Sequence, residues 1–187
     1  MTDISSRVAK TRPRKAAAPD PANARPPDAS GGDPLWFIEA LFLAYRDFIG
    51  EPDRILAEIG FGRAHHRVLY FVNRYHGMRV ADLLEILQIT KQSLARVLRE
   101  LIKEGYIRQV SGETDRRERL LYPTTRGAAL ATRLTELQMA KLRKALGAAG
   151  DEGSAAVATF FQHMAPDISR LAALRRGRRA EGNGDGG

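Results

Sequence analysis

The sequence of 187 residues contains no cysteine. Disulfides, thiolate zinc sites and cysteine-based redox sensing are therefore excluded. No apolar run approaches the roughly 18 residues that a membrane span needs. The charged N-terminus is not followed by the apolar stretch of a secretory signal. Together these absences predict a cytoplasmic protein.

Large apolar side chains are almost absent from both ends of the chain. Residues 1–33 are rich in Pro, Ala and charged residues, and residues 176–187 are rich in Gly and Arg. Such segments bury too little apolar surface to offset the entropy of ordering. We therefore predict a disordered basic, Pro/Ala-rich arm and a disordered tail around one folded domain at 34–175, which is long enough for a real core.

Catalytic and metal-binding patterns are missing as well. The sequence has no HExxH, P-loop or nucleophile elbow, and its four histidines do not stand at metal-ligand spacing. The sequence thus predicts no enzyme activity, no catalytic residue, no metal site and no cofactor.

Charge is present in excess but is unevenly distributed. The chain carries a net charge of +8, with nine basic and five acidic residues at 88–126 but two basic and five acidic residues at 35–62. A merely soluble basic protein would explain the total but not this segregation. The asymmetry indicates one face for a polyanion and another face for a different partner.

The first helix is predicted from Pro34, with Asp33 as its cap and a stop at Gly50 and Pro52. Its apolar side chains cover nearly the whole circumference, which indicates a helix buried on most sides. The alternatives are a subunit interface and a central core helix, and the former is favoured. A second amphipathic helix follows at 63–75.

A short helix at "VADLLEILQI" precedes a tight break and a helix at 90–104, with Thr90 as cap and Gly105 as stop. At about 100° per residue, an apolar arc opposes a narrow polar stripe. The arc holds Leu94, Val97, Leu98, Leu101 and Ile102; the stripe holds Gln92, Arg96, Arg99 and Lys103. The stripe by itself is either a solvated face or a nucleic-acid contact, but the preceding helix and turn make a helix-turn-helix.

Two predicted strands follow, "YIRQV" and "RLLYP", and the charged loop "SGETDRRE" joins them. Strands joined in this way form a hairpin. A helix-turn-helix followed by a hairpin is a winged helix, so the arginines of the loop lie at the tip of a wing. The fold class is therefore mainly α with a small β-hairpin wing.

The remaining chain reads as two helices. The first begins at the Thr124 cap and breaks at the Gly147–Gly150 turn, and Pro166 should kink the second. These helices cannot bury all their apolar surface on one winged helix. Residues 35–60 and 125–175 are therefore predicted to be dimerisation helices around a DNA-binding lobe at 63–124, which makes the protein a homodimer.

The chain resembles the MarR family of bacterial transcriptional regulators over roughly residues 35–174. The wing signature of that family is matched by Asp115, Arg117, Arg119, Thr124 and Gly127 at the corresponding spacing, although Pro123 stands where the family has Leu. The resemblance implies a homodimer on double-stranded, pseudo-palindromic DNA. Its recognition helix, 90–104, would enter the major groove, and the wing, 111–119, the minor groove.

Roles for the basic residues follow from the chemistry of DNA. Gln92, Ser93 and Arg96 are predicted to read bases, since Gln and Arg pair bidentately with adenine and guanine. Thr90 and Lys91 suit phosphate, and Arg99 is expected at phosphate or in solvent. The remaining predicted DNA-binding residues are Asp115, which would orient Arg117, and Arg116, Arg117 and Arg119 of the wing. The alternative is a winged helix that uses its basic face on an acidic protein partner.

The resemblance also implies a small aromatic or anionic effector, bound between the dimer helices and the DNA-binding lobe. The candidate lining residues are Trp36, Phe37, His65, His66, Arg67 and Tyr70. Effector binding stays open beside a second interpretation, in which the histidines are polar packing at an interface. The adjacent His65 and His66 point about 100° apart on a helix, so they cannot chelate one metal together.

Overall fold

A computed structural model describes residues 34–112, 115–168 and 171. The predicted arm at 1–33, with its Asp33 cap, and the tail at 176–187 lie outside these residues. The chain divides into two units, 1–42 and 43–187. The elements are α1 Pro34–Ala57, α2 Arg63–Arg74, β1 Met78–Arg79, α3 Val80–Leu87, α4 Lys91–Lys103, β2 Ile107–Ser111, β3 Arg119–Pro123 and α5 Thr125–Met164.

Helix α1 runs past its predicted stop. It continues through Gly50 and Pro52 to Ala57, so the predicted end was wrong. Proline removes one hydrogen bond from a helix interior, but the turn that follows it completely buries Leu56. Burial of a leucine contributes about 1.5–3 kcal/mol, which offsets that loss.

The core of the second unit lies where α2, α3, α4 and β3 meet the first turns of α5. Its fully buried side chains include Leu69, Leu83, Leu101, Leu121 and Leu134. The apolar spacing of α2 predicts Val68, Leu69, Phe71, Val72 and Tyr75 as its inward set; all are buried except Phe71, which is half-buried against the core. The same helix also buries His65 and His66, which the apolar pattern did not reveal.

The sheet has three antiparallel strands in the order β1-β3-β2. The predicted hairpin of β2 and β3 is confirmed, with Ile107 opposite Pro123 and Ser111 opposite Arg119. Strand β1, only two residues long, was not predicted. It pairs Arg79 with Leu120 and so joins the hairpin to the helix-turn-helix.

Helix α5 starts at the Thr124 cap as predicted and is interrupted at Gly150, where φ is +70°. The predicted break is thus confirmed, although Gly147 is still helical. Pro166 does not kink the second part of α5, because the helix has already ended at Met164. Among the described helices, none is long and apolar enough to cross a membrane.

Candidate nucleic-acid interface

The turn between α3 and α4 contains three residues, Gln88 to Thr90. Gln88 adopts left-handed backbone angles, with φ of 51°, and ends α3. The Thr90 hydroxyl accepts the Ser93 N–H at 3.1 Å and donates to the Ser93 hydroxyl at 2.9 Å. Since a side-chain cap satisfies one of the free amides of a helix start, Thr90 sets where α4 begins. The Ser93 hydroxyl is engaged by the cap.

One face of helix α4 packs in the core, and the opposite face is exposed to solvent. Leu94, Val97, Leu98 and Leu101 are buried. The predicted polar stripe is exposed, and Lys91 and Ser93 are exposed with it. Within the described residues, the cations of this helix form no ion pair. They are Lys91, Arg96, Arg99 and Lys103, and all of their donors are open to an external anion.

His65 of α2 forms a hydrogen bond with Glu100, an acidic residue of α4 beside the polar stripe. His65 Nε2 lies 2.6 Å from Glu100 Oε2. The Nδ1 atom of the ring accepts the Gly62 N–H at 3.1 Å, so Nε2 carries the proton and donates to the carboxylate. Phe61 stacks on the imidazole, with ring centroids 4.5 Å apart. This contact ties α4 to the first turn of α2.

A mostly apolar groove of about 770 Å³ lies between α3, α4 and the sheet. Its cationic lining comes from both sides: Lys91, Arg99 and Lys103 from α4, and Arg119 from β3. Ile102 belongs to the apolar arc of α4; it lines this groove beside Leu94 and Leu98 and is 36% exposed. The recognition helix and the wing stem therefore border one groove, with cations on both of its sides.

The wing tip is built around Asp115. Its Oδ1 accepts the backbone N–H of Arg117 at 2.8 Å, and its carbonyl accepts that of Glu118 at 3.0 Å. The carboxylate thus fixes the turn backbone at Arg117; that it also orients the Arg117 side chain stays a prediction. Arg116 and Arg117 are exposed at the turn. Arg119 is not at the tip but in the stem, where it donates to the Ser111 hydroxyl at 2.6 Å.

The base of the lobe is joined to α5. Arg126 donates to the Glu104 carbonyl at 2.8 Å, and its guanidinium lies 4.2 Å from the centroid of the Tyr106 ring. The Thr124 hydroxyl donates to the Gly105 carbonyl at 2.7 Å. These contacts fix the end of α4 and the start of β2 relative to α5.

A second, smaller cavity of about 370 Å³ lies between α1, α2 and α5 in the unit 43–187. It is lined by Tyr45, Phe48, Ile49, Arg63, His66, Arg67, Tyr70, Thr135, Gln138, Met139 and Leu142. Of the predicted pocket residues, His66, Arg67 and Tyr70 line it. His65 does not, because it turns to Glu100. Trp36 and Phe37 lie in the other unit, where both are exposed and their rings contact edge to face.

Two polar side chains of this cavity are buried and have free hydrogen-bonding groups. His66 and Gln138 are each 8% exposed. Neither side chain makes a hydrogen bond to another described residue. Burial lowers the pKa of His66, and the charge of Asp53 opposes that shift. The imidazole is therefore neutral near pH 7 and can donate or accept.

Comparison with known proteins agrees with this architecture. Residues 59–118 match the sequence profile described as the MarR family. The HTH-type transcriptional regulator PetP of Rhodobacter capsulatus is 46% identical over 143 residues, which cover 72% of this chain and 84% of that protein. The chain belongs to the MarR family of transcriptional regulators.

Solved structures show the same winged-helix fold. The Streptococcus pneumoniae FabT structure, solved in complex with DNA, gives a TM-score of 0.64 at 17% identity, covering 74% of this chain and 99% of that one. The transcriptional regulator SlyA gives 0.60 at 15% identity, covering 72% and 94%. At these identities the likeness establishes the fold of this MarR-family chain.

Two features of the site were missed from the sequence of this MarR-family protein. One is the pair His65–Glu100, whose members are 35 residues apart. The other is Arg79, which donates to Asp82 and to Glu118. The sequence contained a signal only for the Arg79–Asp82 contact, because an acid three residues into a helix often caps its start.

Proposed function

We propose that this MarR-family regulator binds double-stranded DNA sequence-specifically, with α4 in the major groove and the wing in the minor groove. The observation that carries the proposal is the set of arginines and lysines from α4 and β3 at the sides of the groove, which are free of ion pairs among the described residues. Free cations beside an exposed helix suit phosphate, because neutralising phosphates releases counterions. A regulator of this kind acts where the chromosome is, in the cytoplasm.

Different cations are proposed to do different work. Gln92 and Arg96 lie on the exposed first half of α4 and would read base edges, whereas Ser93, bound to Thr90, would contribute through its backbone. Lys91 and Arg99 would contact phosphate. Arg116 and Arg117 would enter the minor groove, where negative potential is focused, and Arg119 would support them from the stem.

A pair of substitutions tests these roles. Arg96→Ala should lower the discrimination between an operator duplex and its scrambled version by about 1–3 kcal/mol. Lys91→Ala should weaken both duplexes alike. Lys144→Ala, which removes a charge from the exposed part of α5, is the matched control and should change neither. Equal losses on both duplexes for Arg96→Ala would contradict its role as a reader.

The salt dependence of binding tests the class of partner. A protein that neutralises several phosphates loses affinity for a random duplex steeply as salt rises. A wild-type protein that ignores the duplex at low salt would instead favour an acidic protein partner for the basic face.

We further propose that the protein is a homodimer through the helices at its two ends. Large apolar side chains are exposed in both: Leu35, Trp36, Phe37, Ile38 and Phe42 in the first unit, and Val157, Phe160, Phe161, Met164 and Ile168 in the second. Contiguous exposed apolar side chains mark interaction surfaces. Light scattering should give twice the chain mass of 20.7 kDa, and a monomeric mass would refute the proposal.

The cavity lined by His66 supports a small effector. Its volume lies within the range of about 300–1,000 Å³ typical of ligand sites. Arg67 offers a cation, Gln138 and neutral His66 offer hydrogen bonds, and Tyr70 offers a ring face. An aromatic carboxylate such as salicylate should raise the melting temperature of the wild type but not that of Gln138→Leu. Equal shifts for both proteins would exclude this cavity.

A further inference from the structure

Arg79 connects the helix-turn-helix to the wing through its side chain. It stands at the junction of β1 and α3. Its Nη2 donates to Asp82 Oδ1 at 2.7 Å and its Nε donates to Asp82 Oδ2 at 3.0 Å, a bidentate contact inside α3. Its Nη1 donates to Glu118 Oε1 at 3.3 Å. A planar guanidinium can hold two carboxylates at once, which a lysine ammonium does less specifically.

Glu118 is part of the wing turn itself. Its carbonyl accepts the Gly112 N–H at 3.1 Å, and its N–H donates to the Asp115 carbonyl. It directly precedes Arg119, the first residue of β3. The Glu118 side chain therefore moves with the turn that carries the tip arginines.

The sheet by itself gives the wing a short anchor. Strand β1 pairs with β3 at two positions only, Met78 with Leu121 and Arg79 with Leu120. Glu118 lies two residues before Leu120, so it is the diagonal neighbour of Arg79 across the ladder, within reach of a long side chain. The Arg79–Glu118 pair extends the anchor beyond the last backbone pairing and toward the tip.

We propose that Arg79 is a positioning residue for DNA binding: it latches the wing to α3, and so sets where Arg116 and Arg117 lie relative to α4. The inference rests on the proposed function. The carboxylates of Asp82 and Glu118 bind the Arg79 guanidinium from two sides. Arg79 therefore contributes to DNA affinity mainly by positioning the wing, and direct contact with phosphate is secondary.

The Arg79–Glu118 contact, called the latch below, predicts a change in DNA affinity opposite in sign to that of simple electrostatics. Removing a carboxylate from a DNA-binding lobe should strengthen binding to a polyanion. If Glu118 instead holds the wing, Glu118→Met should weaken binding about two- to fivefold, the range of an exposed ion pair. Glu104→Met is the matched control, because it removes an acid from the same lobe away from the wing; its affinity should stay equal or rise.

The variants Arg79→Met and Arg79→Met/Glu118→Met complete a double-mutant cycle for DNA affinity. The double variant should bind no more weakly than Arg79→Met, since the second change removes a contact already lost. A direct phosphate contact by Arg79 would instead give independent effects, with Glu118→Met tightening binding in both backgrounds. Glu118→Gln, which keeps an acceptor without the charge, should fall between wild type and Glu118→Met.

A second readout needs no DNA. Trypsin cleaves after arginine, and Arg116 and Arg117 lie in the exposed turn. Loss of the Arg79–Glu118 contact should speed cleavage at these two bonds in Arg79→Met, which leaves the residues beside the bonds unchanged. Cleavage is measured by mass spectrometry, with an unchanged melting temperature and no acceleration in Glu104→Met.

The proposal requires both results: faster cleavage of the wing in Arg79→Met and weaker DNA binding in Glu118→Met. Unchanged cleavage, or binding that equals or exceeds that of the wild type, overturns it. If the wild type does not bind DNA at all, the proposed function fails separately, while the cleavage rates still report whether the latch exists.

Discussion

Gly127 allows α5 to start directly against the strand that enters the wing. A Cβ atom at this position would lie 1.8 Å from the Tyr106 carbonyl oxygen and 2.8 Å from its carbon. These are backbone atoms, so no side chain can swing away. The same oxygen accepts the Thr124 N–H at 3.1 Å and lies 3.3 Å from the Thr124 hydroxyl, whose single proton it shares with the Gly105 carbonyl. Gly127→Ala must therefore push α5 away from the Tyr106 backbone and break this junction.

The loss in free energy of unfolding has two contributions, one from overpacking and one from weakened hydrogen bonds. Overpacking a well-packed site costs about 1–3 kcal/mol, and weakening two hydrogen bonds to a buried carbonyl adds about 1–2 kcal/mol. The sum is roughly 2–5 kcal/mol in the free energy of unfolding. For a domain of this size, that corresponds to a fall of about 5–20 °C in melting temperature.

The assay is thermal unfolding followed by circular dichroism, with Gly147→Ala as the matched control. Gly147 lies in the same helix, and a methyl group added there would meet nothing within 4 Å. Alanine is better than glycine in a helix interior by about 0.5–1 kcal/mol, so the control should melt slightly higher than the wild type. A Gly127→Ala protein that melts within about 2 °C of the wild type would refute the reasoning.

Three other changes follow from the structure. Thr90→Ala removes the cap of α4 and should cost about 0.5–2 kcal/mol, whereas Thr90→Ser should restore most of it; equal losses would argue against the cap. Leu101→Ala empties a fully buried site in α4 and should cost about 2–5 kcal/mol in urea unfolding. Burial lowers the pKa of His66 in the folded protein. The contribution of His66 to the free energy of unfolding is therefore complete above its unfolded pKa of about 6.5. It is lost as the pH falls below that value. His66→Gln should flatten this loss, and exposed His76→Gln should not.

Much of the interface was predictable because its signals are local. Thr90 and Gly105 bound α4 through capping and a positive φ of 71° at Gly105. The apolar residues of α4 recur at helical spacing, and those of the wing strands lie between turn residues. These signals depend on neighbours a few residues away, so they survive without knowledge of the fold.

The misjudged positions depend on distant partners. Helix α1 passes through Pro52 because the turn that follows buries Leu56 in the core. His65 looked like a pocket residue on its helix, but its partner is Glu100, from another helix.

The amino-acid sequence alone determined the order of the helices and of the two wing strands, the cationic stripe of α4 and the charged loop of the wing, because helical period, caps and turns act over a few residues. Only the tertiary structure decided that Arg79 meets Glu118, that His65 holds Glu100 and that Gly127 touches the Tyr106 backbone. These contacts join residues 21 to 39 positions apart. Such pairs are selected by the packing of the whole core, which no local pattern encodes.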